Sequence, residues 1–245
     1  MTLGVLGGTF DPIHNGHIAA AQAAQQLLDL DSIVLVASRI PPHRQDPVGA
    51  SAEQRYEMAS LAAGGRPGWS ASRLEIDREG PSYTFDTLVE LRRNMSTRLA
   101  ASAKAAAFGK PTADKSAPKK PDTTASGTQI FFILGADAFA EIATWYRYPE
   151  VLDLANFVVV SRPGITLDSL RERVPSAFEP HPRCSPSALR DLGSEETRVI
   201  LVEARTPDIS STDIRRRARA GQSVDGLVPG PVAAYISTHR LYVGK

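Results

Sequence analysis

The chain has 245 residues, 42% of them hydrophobic, a net charge of +1 and a single cysteine. That apolar content is enough for a sizeable core and excludes wholesale disorder, while the near-neutral charge excludes the broad basic field of a nucleic-acid-binding protein, so any anion site must be local. Cys184 alone can form neither an internal disulfide nor a cysteine zinc cluster; it reads as a spectator thiol in a reducing cytoplasm.

Residues 2–6 read as a short buried strand directly after Met1, with neither a basic leader nor an apolar stretch of signal length. No apolar run reaches the ~18 residues that a membrane span needs. A Gly-rich turn follows, then a helix over residues 16–28. Residues 32–37 (SIVLVA) form a second buried strand, and residues 51–63 a helix with Ser51 as N-cap and Glu53 and Glu57 near its start. Residues 70–76 read as a third strand, and Ser82-Tyr83-Thr84 leads into a helix through Arg93. Three further strands are expected at 129–134 (QIFFIL), 157–161 (FVVVS) and 199–202 (VILV), with helical patterns between them. Short apolar strands alternating with helices predict a Rossmann-like α/β fold, a doubly wound and mostly parallel sheet with helices on both faces. Ligands of such sheets sit at the carboxyl ends of the strands, where the turn after the first strand would lie.

Residues 95–128 break the pattern. They are rich in Ala, Lys, Ser, Thr and Pro, poor in large apolar side chains, and carry six basic residues against two acidic ones. Such a segment cannot bury enough surface to offset its ordering entropy, so it reads as a mobile surface insertion, with an electrostatic arm as the functional alternative and a transient helix over the Ala-rich residues 99–107. The remainder reads as one domain spanning 1–245.

Two stretches carry chemistry. The first is Gly7-Gly8-Thr9-Phe10-Asp11-Pro12-Ile13-His14-Asn15-Gly16-His17. Two glycines let the backbone turn sharply beside a ligand, and a helix starting near Gly16 would aim free N–H groups at the same space, as phosphate sites do. His14 and His17, three apart, fall on one side of a first helical turn. The pair could ligate a metal, act as acid and base, or donate hydrogen bonds to phosphate oxygens, and it could equally be two satisfied histidines at a helix start. Neither G-x-G-x-x-G nor G-x-x-x-x-G-K-[ST] occurs, which disfavours an ordinary dehydrogenase or kinase. The second stretch is Ile209-Ser210-Ser211-Thr212-Asp213-Ile214-Arg215-Arg216-Arg217. A Ser cap, hydroxyls and a guanidinium one turn on make a second phosphate clamp; the plain alternative is a solvated basic helix.

GGTFDPIHNGH resembles the signature of the nucleotidyltransferase superfamily with an H-x-G-H motif, and ISSTDIR resembles that superfamily's I-S-S-T-x-x-R motif. The resemblance implies that His14, His17 and Arg215 act on the ATP phosphates, with Gly7, Gly8, Thr9, Phe10, Gly16, Ser210, Ser211 and Thr212 in the ATP site. Leu134-Gly135-Ala136-Asp137 resembles the L-G-x-D motif of nicotinate- and nicotinamide-mononucleotide adenylyltransferases, where the acid, here Asp137, holds ribose hydroxyls. Pro41-Pro42-His43-Arg44 resembles their P-P-H-[KR] segment, which closes over phosphate. Pro81-Ser82-Tyr83-Thr84 and Thr144-Trp145-Tyr146 resemble the stretches that receive the pyridine ring and its carboxylate, and Arg162 matches an arginine near the adenine. By its residues alone, Trp145 is either an aromatic platform or a packed edge.

The resemblance spans the chain from Leu3 to about Ile236 and departs at 95–128. It implies transfer of AMP from ATP to nicotinate mononucleotide, with Mg²⁺ bound mainly through ATP phosphates and no dedicated protein metal site. It implies small-molecule partners rather than nucleic acid or membrane, and a homo-oligomer is compatible with it. The alternatives are an adenylyltransferase for nicotinamide mononucleotide or phosphopantetheine, and a catalytically silent nucleotide-binding module on the same fold.

Overall fold

The computed structural model describes residues 1–42, 48–108, 128–161, 170, 172–177, 197–204 and 206–243. His43, Arg44, Arg162, Cys184 and most of the 95–128 insertion lie outside them.

Six strands form one sheet: β1 (Thr2–Gly8), β2 (Ser32–Ala37), β3 (Trp69–Ser72), β4 (Gln129–Gly135), β5 (Asn156–Val160) and β6 (Val199–Val202). Their order is β3-β2-β1-β4-β5-β6, and every pairing is parallel. The chain runs outward from β1 to one edge, then returns to the centre and runs to the other. The reversal falls between β1 and β4, so the loops leaving those strands diverge and open a crevice at their carboxyl ends. The inner strands β1, β4 and β5 are buried without alternation because helices cover both faces; all five residues of β5 are buried, whereas the edge strand β3 (WSAS) is not.

The helices are α1 (Asn15–Leu28), α2 (Ala52–Ala63), α3 (Leu74–Asp77), α4 (Thr84–Phe108), α5 (Ala136–Ala140), α6 (Ser211–Arg219) and α7 (Gly230–Thr238). One core cluster joins α1, α2, α6 and α7 to one face through Ile18, Met58, Ile214 and Val232. The other joins α4 and α5 to the opposite face through Leu88, Leu91 and Phe139. The predicted Ser51 cap is present: its side chain accepts from the N–H of Gln54, and the Gln54 side chain accepts from the N–H of Ser51.

Two boundaries differ from the sequence reading by more than two residues. The third strand stops at Ser72, and Ile76 lies in the short helix α3 instead. Apolar spacing alone could not separate the two, because Ile76 is buried either way. The helix from Thr84 runs past Arg93 to Phe108, so its backbone carries well into the segment read as an insertion. Alanine has the lowest intrinsic cost of any residue in a helix, and residues 99–107 supply it. Among the described residues no helix is long and apolar enough to cross a membrane.

Candidate active site

The turn after β1 is shaped by a ring under its glycines. A Cβ on Gly8 would stand 2.8 Å from the Phe10 ring, and Phe10 is buried with φ of 52°. Only glycine lets the chain pass so close over that ring.

His14 is the N-cap of α1, in extended conformation, and His17 is the third residue of the helix. The Nδ1 of His17 accepts from the backbone N–H of His14 at 3.2 Å, and the two rings lie 3.7 Å apart between centroids. The three-residue spacing is thus a capping-box spacing with His17 in the place of the usual Glu or Gln. An accepting Nδ1 leaves the ring proton of a neutral His17 on Nε2, as a donor. The Phe10 ring meets His17 edge-on at 5.3 Å. The two histidines are not equivalent: His14 is 2% exposed, whereas His17 lines the open space beyond the turn.

The backbone at the start of α1 offers fewer donors than expected. The N–H of Asn15 goes to the carbonyl of Leu227 and its side-chain amide to that of Gly226, while the N–H groups of His17 and Ile18 go to the carbonyl of His14. Side chains therefore carry more of any anion binding here than the helix terminus does. Gly16 lies beneath: a Cβ there would come within 3.0 Å of the His14 ring and 3.3 Å of the Pro207 carbonyl, so its smallness serves packing.

Two cavities meet at this turn. The larger, about 480 Å³, lies over the β1–β4 reversal. Its floor is Leu6, Gly7, Gly8, Phe132 and Leu134, and its walls include Asp137, Tyr83, Thr84, Trp145 and Tyr146. Trp145 packs edge-on against Phe132 at 6.2 Å, and Tyr146 stacks on Tyr83 at 4.4 Å. Ser82 ties this wall to the end of β2, with its hydroxyl accepting from the N–H of Arg39 at 2.8 Å. The smaller cavity, about 320 Å³, is polar and is lined by Thr9, Phe10, Asp11, His17, Ser211, Thr212 and Arg215. Thr9 and His17 line both.

The structure brings together the two motifs read some 200 residues apart. Ser211 donates to the carbonyl of Pro12 at 2.9 Å, and Arg215 donates to the carbonyl of Asp11 at 2.7 Å. Ser210 caps α6 by accepting from the N–H of Asp213, and it does not line either cavity. Among the described members of the sequence-derived set, His14, Gly16 and Ser210 support the site from behind, and the others face the cavities.

Three functional residues escaped the sequence reading. Asp11 is fully buried, and its carboxylate accepts from the N–H groups of Gly49 and Ala50 and from the hydroxyl of Tyr242, with Arg215 at 3.6 Å. Arg55 is 1% exposed and donates to the carbonyls of Thr9, Ser38, Arg39 and Ala50, pinning the ends of β1 and β2 to α2. Glu75, on α3, is 6% exposed and lines the larger cavity; burial pushes its carboxyl above the usual range, against the hydroxyls of Thr87 and Ser82 that hold it down. An arginine in the middle of an apolar helix face was the available signal for Arg55. Glu75 was hidden by the strand assignment of its neighbourhood.

A parallel sheet whose reversal point opens into an aromatic cavity and a polar, arginine-lined one is the architecture of a nucleotidyltransferase. The cytidylyltransferase-like family model matches residues 5–217. A protein of Citrifermentans bemidjiense described as a probable nicotinate-nucleotide adenylyltransferase is 36% identical over 243 residues, covering 99% of each chain. A Thermus thermophilus protein with the same description is 37% identical over 242 residues, covering 99% of this chain and all of its own. The chain belongs to this family, the nicotinate-nucleotide adenylyltransferases among the cytidylyltransferase-like proteins. The fold matches that of Plasmodium falciparum nicotinic acid mononucleotide adenylyltransferase, solved complexed with NaAD, with a TM-score of 0.61 at 15% identity over 98% of this chain and 97% of that one.

Proposed function

We propose that the chain transfers AMP from ATP to nicotinate mononucleotide, giving nicotinate adenine dinucleotide and pyrophosphate. The observation that carries this reading is that His17 and Thr9 line both cavities. The reacting α-phosphorus then belongs at that junction, with the nucleosides on the aromatic side and the leaving pyrophosphate on the side of Arg215. The close relatives named for this activity support the choice of acceptor.

The acceptor's 5′-phosphate is the nucleophile, and with a second pKa of about 6 it is largely ionised at neutral pH and needs no protein base. One of its oxygens forms a bond to the α-phosphorus in line with the breaking bond to the bridging oxygen. The electron pair leaves with pyrophosphate. The protein's part is positioning and charge stabilisation. The Nε2–H of His17 and the guanidinium of Arg215 donate to oxygens that gain charge as that bond breaks. Buried His14 acts by holding His17, and Thr212 and Ser211 edge the pyrophosphate side.

Trp145 offers the pyridine ring a face, with Tyr83 and Tyr146 beside it. Thr84 and Tyr146 are the candidate donors to the nicotinate carboxylate, and Glu75 lines the same cavity. Asp137, exposed on the first turn of α5, is assigned to the ribose hydroxyls on the resemblance of its motif. We assign His43 and Arg44 to phosphate and Arg162 to the adenine on the resemblance of their motifs.

The polar cavity fits Mg²⁺ held through phosphate oxygens rather than by a protein cage. Its single carboxylate, that of Asp11, already accepts three hydrogen bonds, and the remaining polar groups are hydroxyls, an imidazole and a guanidinium. When bound, the ion supplies charge neutralisation on the triphosphate.

The test is pyrophosphate release from ATP and Mg²⁺ with nicotinate mononucleotide, nicotinamide mononucleotide and phosphopantetheine as parallel acceptors. Strong preference for the first supports the pocket assignment. Preference for another acceptor overturns that assignment, and no release with any of them overturns the enzymatic reading.

A further inference from the structure

Beyond α7 the chain turns back through residues 239–243 and buries Tyr242 beside the turn that follows β1. The Tyr242 hydroxyl donates to Oδ1 of Asp11 at 3.0 Å. The same oxygen accepts from the N–H of Ala50 at 3.0 Å, and Oδ2 accepts from the N–H of Gly49 at 2.9 Å. Nη1 of Arg215 stands 3.6 Å from Oδ2 and donates to the backbone carbonyl of the same aspartate at 2.7 Å. Its Nη2 meets the hydroxyl of Thr212 at 3.2 Å.

Packing tightens this arrangement. Gly49 is clamped between the Tyr242 ring and the stem of Arg215: a Cβ on it would stand 2.8 Å from Tyr242 and 3.2 Å from Cδ of Arg215. Tyr242 stays protonated across the working range, because burial and the neighbouring Asp11 carboxylate both push its hydroxyl up. It is therefore a permanent donor.

A guanidinium on a long stem would sample many rotamers if it were held by phosphate alone. Here one guanidinium nitrogen is fixed to Asp11 before substrate arrives, and Asp11 is fixed by three donors. The side chain of Arg215 is 15% exposed and lines the smaller, polar cavity with its remaining donors.

We infer that Tyr242 is a positioning residue for adenylyl transfer: through the Asp11 carboxylate it fixes the Arg215 guanidinium in the orientation that receives the leaving pyrophosphate. The inference rests on the nucleotidyltransferase reading of the site but not on the identity of the acceptor nucleotide.

The experiment compares wild type with Tyr242→Phe, Arg215→Lys and the double variant. The readouts are inorganic pyrophosphate affinity by calorimetry, kcat and KM in the forward reaction, and thermal unfolding. Tyr242→Phe removes one hydroxyl and keeps the ring, so the fold is retained. The expected result is an about fivefold loss in pyrophosphate affinity and in kcat, the scale of one hydrogen bond, with the acceptor's KM unchanged. On the Arg215→Lys background the same change adds nothing, because the group it positions is gone. Gly49→Ala, which wedges Tyr242 from Arg215, reproduces the Tyr242→Phe pattern.

Wild-type affinity and kcat in Tyr242→Phe would overturn the inference. So would losses that multiply in the double variant, since they would place Tyr242 on a separate path. A lowered unfolding temperature with both readouts intact would show a merely structural role. Pyrophosphate affinity does not involve the acceptor, so these outcomes hold even if the acceptor assignment fails.

Discussion

The two cavities are built in opposite ways. The polar one is assembled from buried, hydrogen-bonded parts: Asp11 and Arg55 hold its backbone, the backbone N–H of His14 holds His17, and Asp11 holds Arg215. The aromatic one is walled by half-buried and exposed rings, with Tyr146 47% exposed and resting on Tyr83. The difference follows from the tasks assigned to each. Charge moving onto a leaving group is stabilised best by donors that need not reorganise, whereas a flat ring is bound by faces that can adjust. The first cavity should therefore govern kcat and fold stability, and the second KM for one substrate.

The largest break in this division is expected from His17→Ala. Losing the Nε2 donor at the junction should lower kcat by about a hundred- to a thousandfold, while ATP affinity measured by calorimetry is retained. Wild-type turnover in this variant would remove His17 from the chemistry.

Next comes Arg55→Met, which removes the donors to four backbone carbonyls that stay buried. It should cost about 3 kcal/mol of stability in denaturant titration. A neutral result would mean that those carbonyls find water.

Trp145→Ala tests the other cavity. It should raise KM for the pyridine nucleotide by about tenfold, on the scale of a lost stacking contact, and leave KM for ATP unchanged. Equal effects on both substrates would make Trp145 a packing residue of the Phe132 wall.

The smallest effect is expected from Glu75→Gln. The carboxyl of Glu75 is raised above 4.5, so the folded state holds its proton longer than the unfolded chain does. Folding then loses stability as pH rises from the unfolded value through the folded one, and the penalty is complete above it. Glutamine keeps an oxygen acceptor for Thr87 without that penalty. Stability of the variant should therefore fall less than that of wild type between mildly acidic and neutral pH, as read by denaturant midpoints. Parallel curves would show that Glu75 ionises freely in the fold.

How much of this was legible depended on the range of the interaction. Apolar runs at 32–37 and 199–202 coincide with β2 and β6, and Ser51 is the N-cap it was read to be. Such signals are local, set by side-chain periodicity and hydrogen bonds within one turn. The two motif stretches were recognisable too, because each is contiguous. The placement of each residue within them was not. His14 and His17 read as a matched pair, yet one is a buried cap and the other lines both cavities. Ser210, Ser211 and Thr212 read as one clamp, yet Ser210 is turned to Asp213 and Ser211 to Pro12.

The sequence by itself determined the α/β class, the doubly wound arrangement and the two phosphate-type motifs, because periodicity and turn chemistry are written in neighbouring residues. Tertiary structure alone decided that Asp11, Gly49, Arg215 and Tyr242 would meet, that Arg55 would fasten two strand ends, and that Glu75 would enter the aromatic cavity. Those contacts join positions up to 231 residues apart. Their partners are fixed by how the sheet's reversal point and the returning C-terminal segment pack, and no local pattern of residues encodes that meeting.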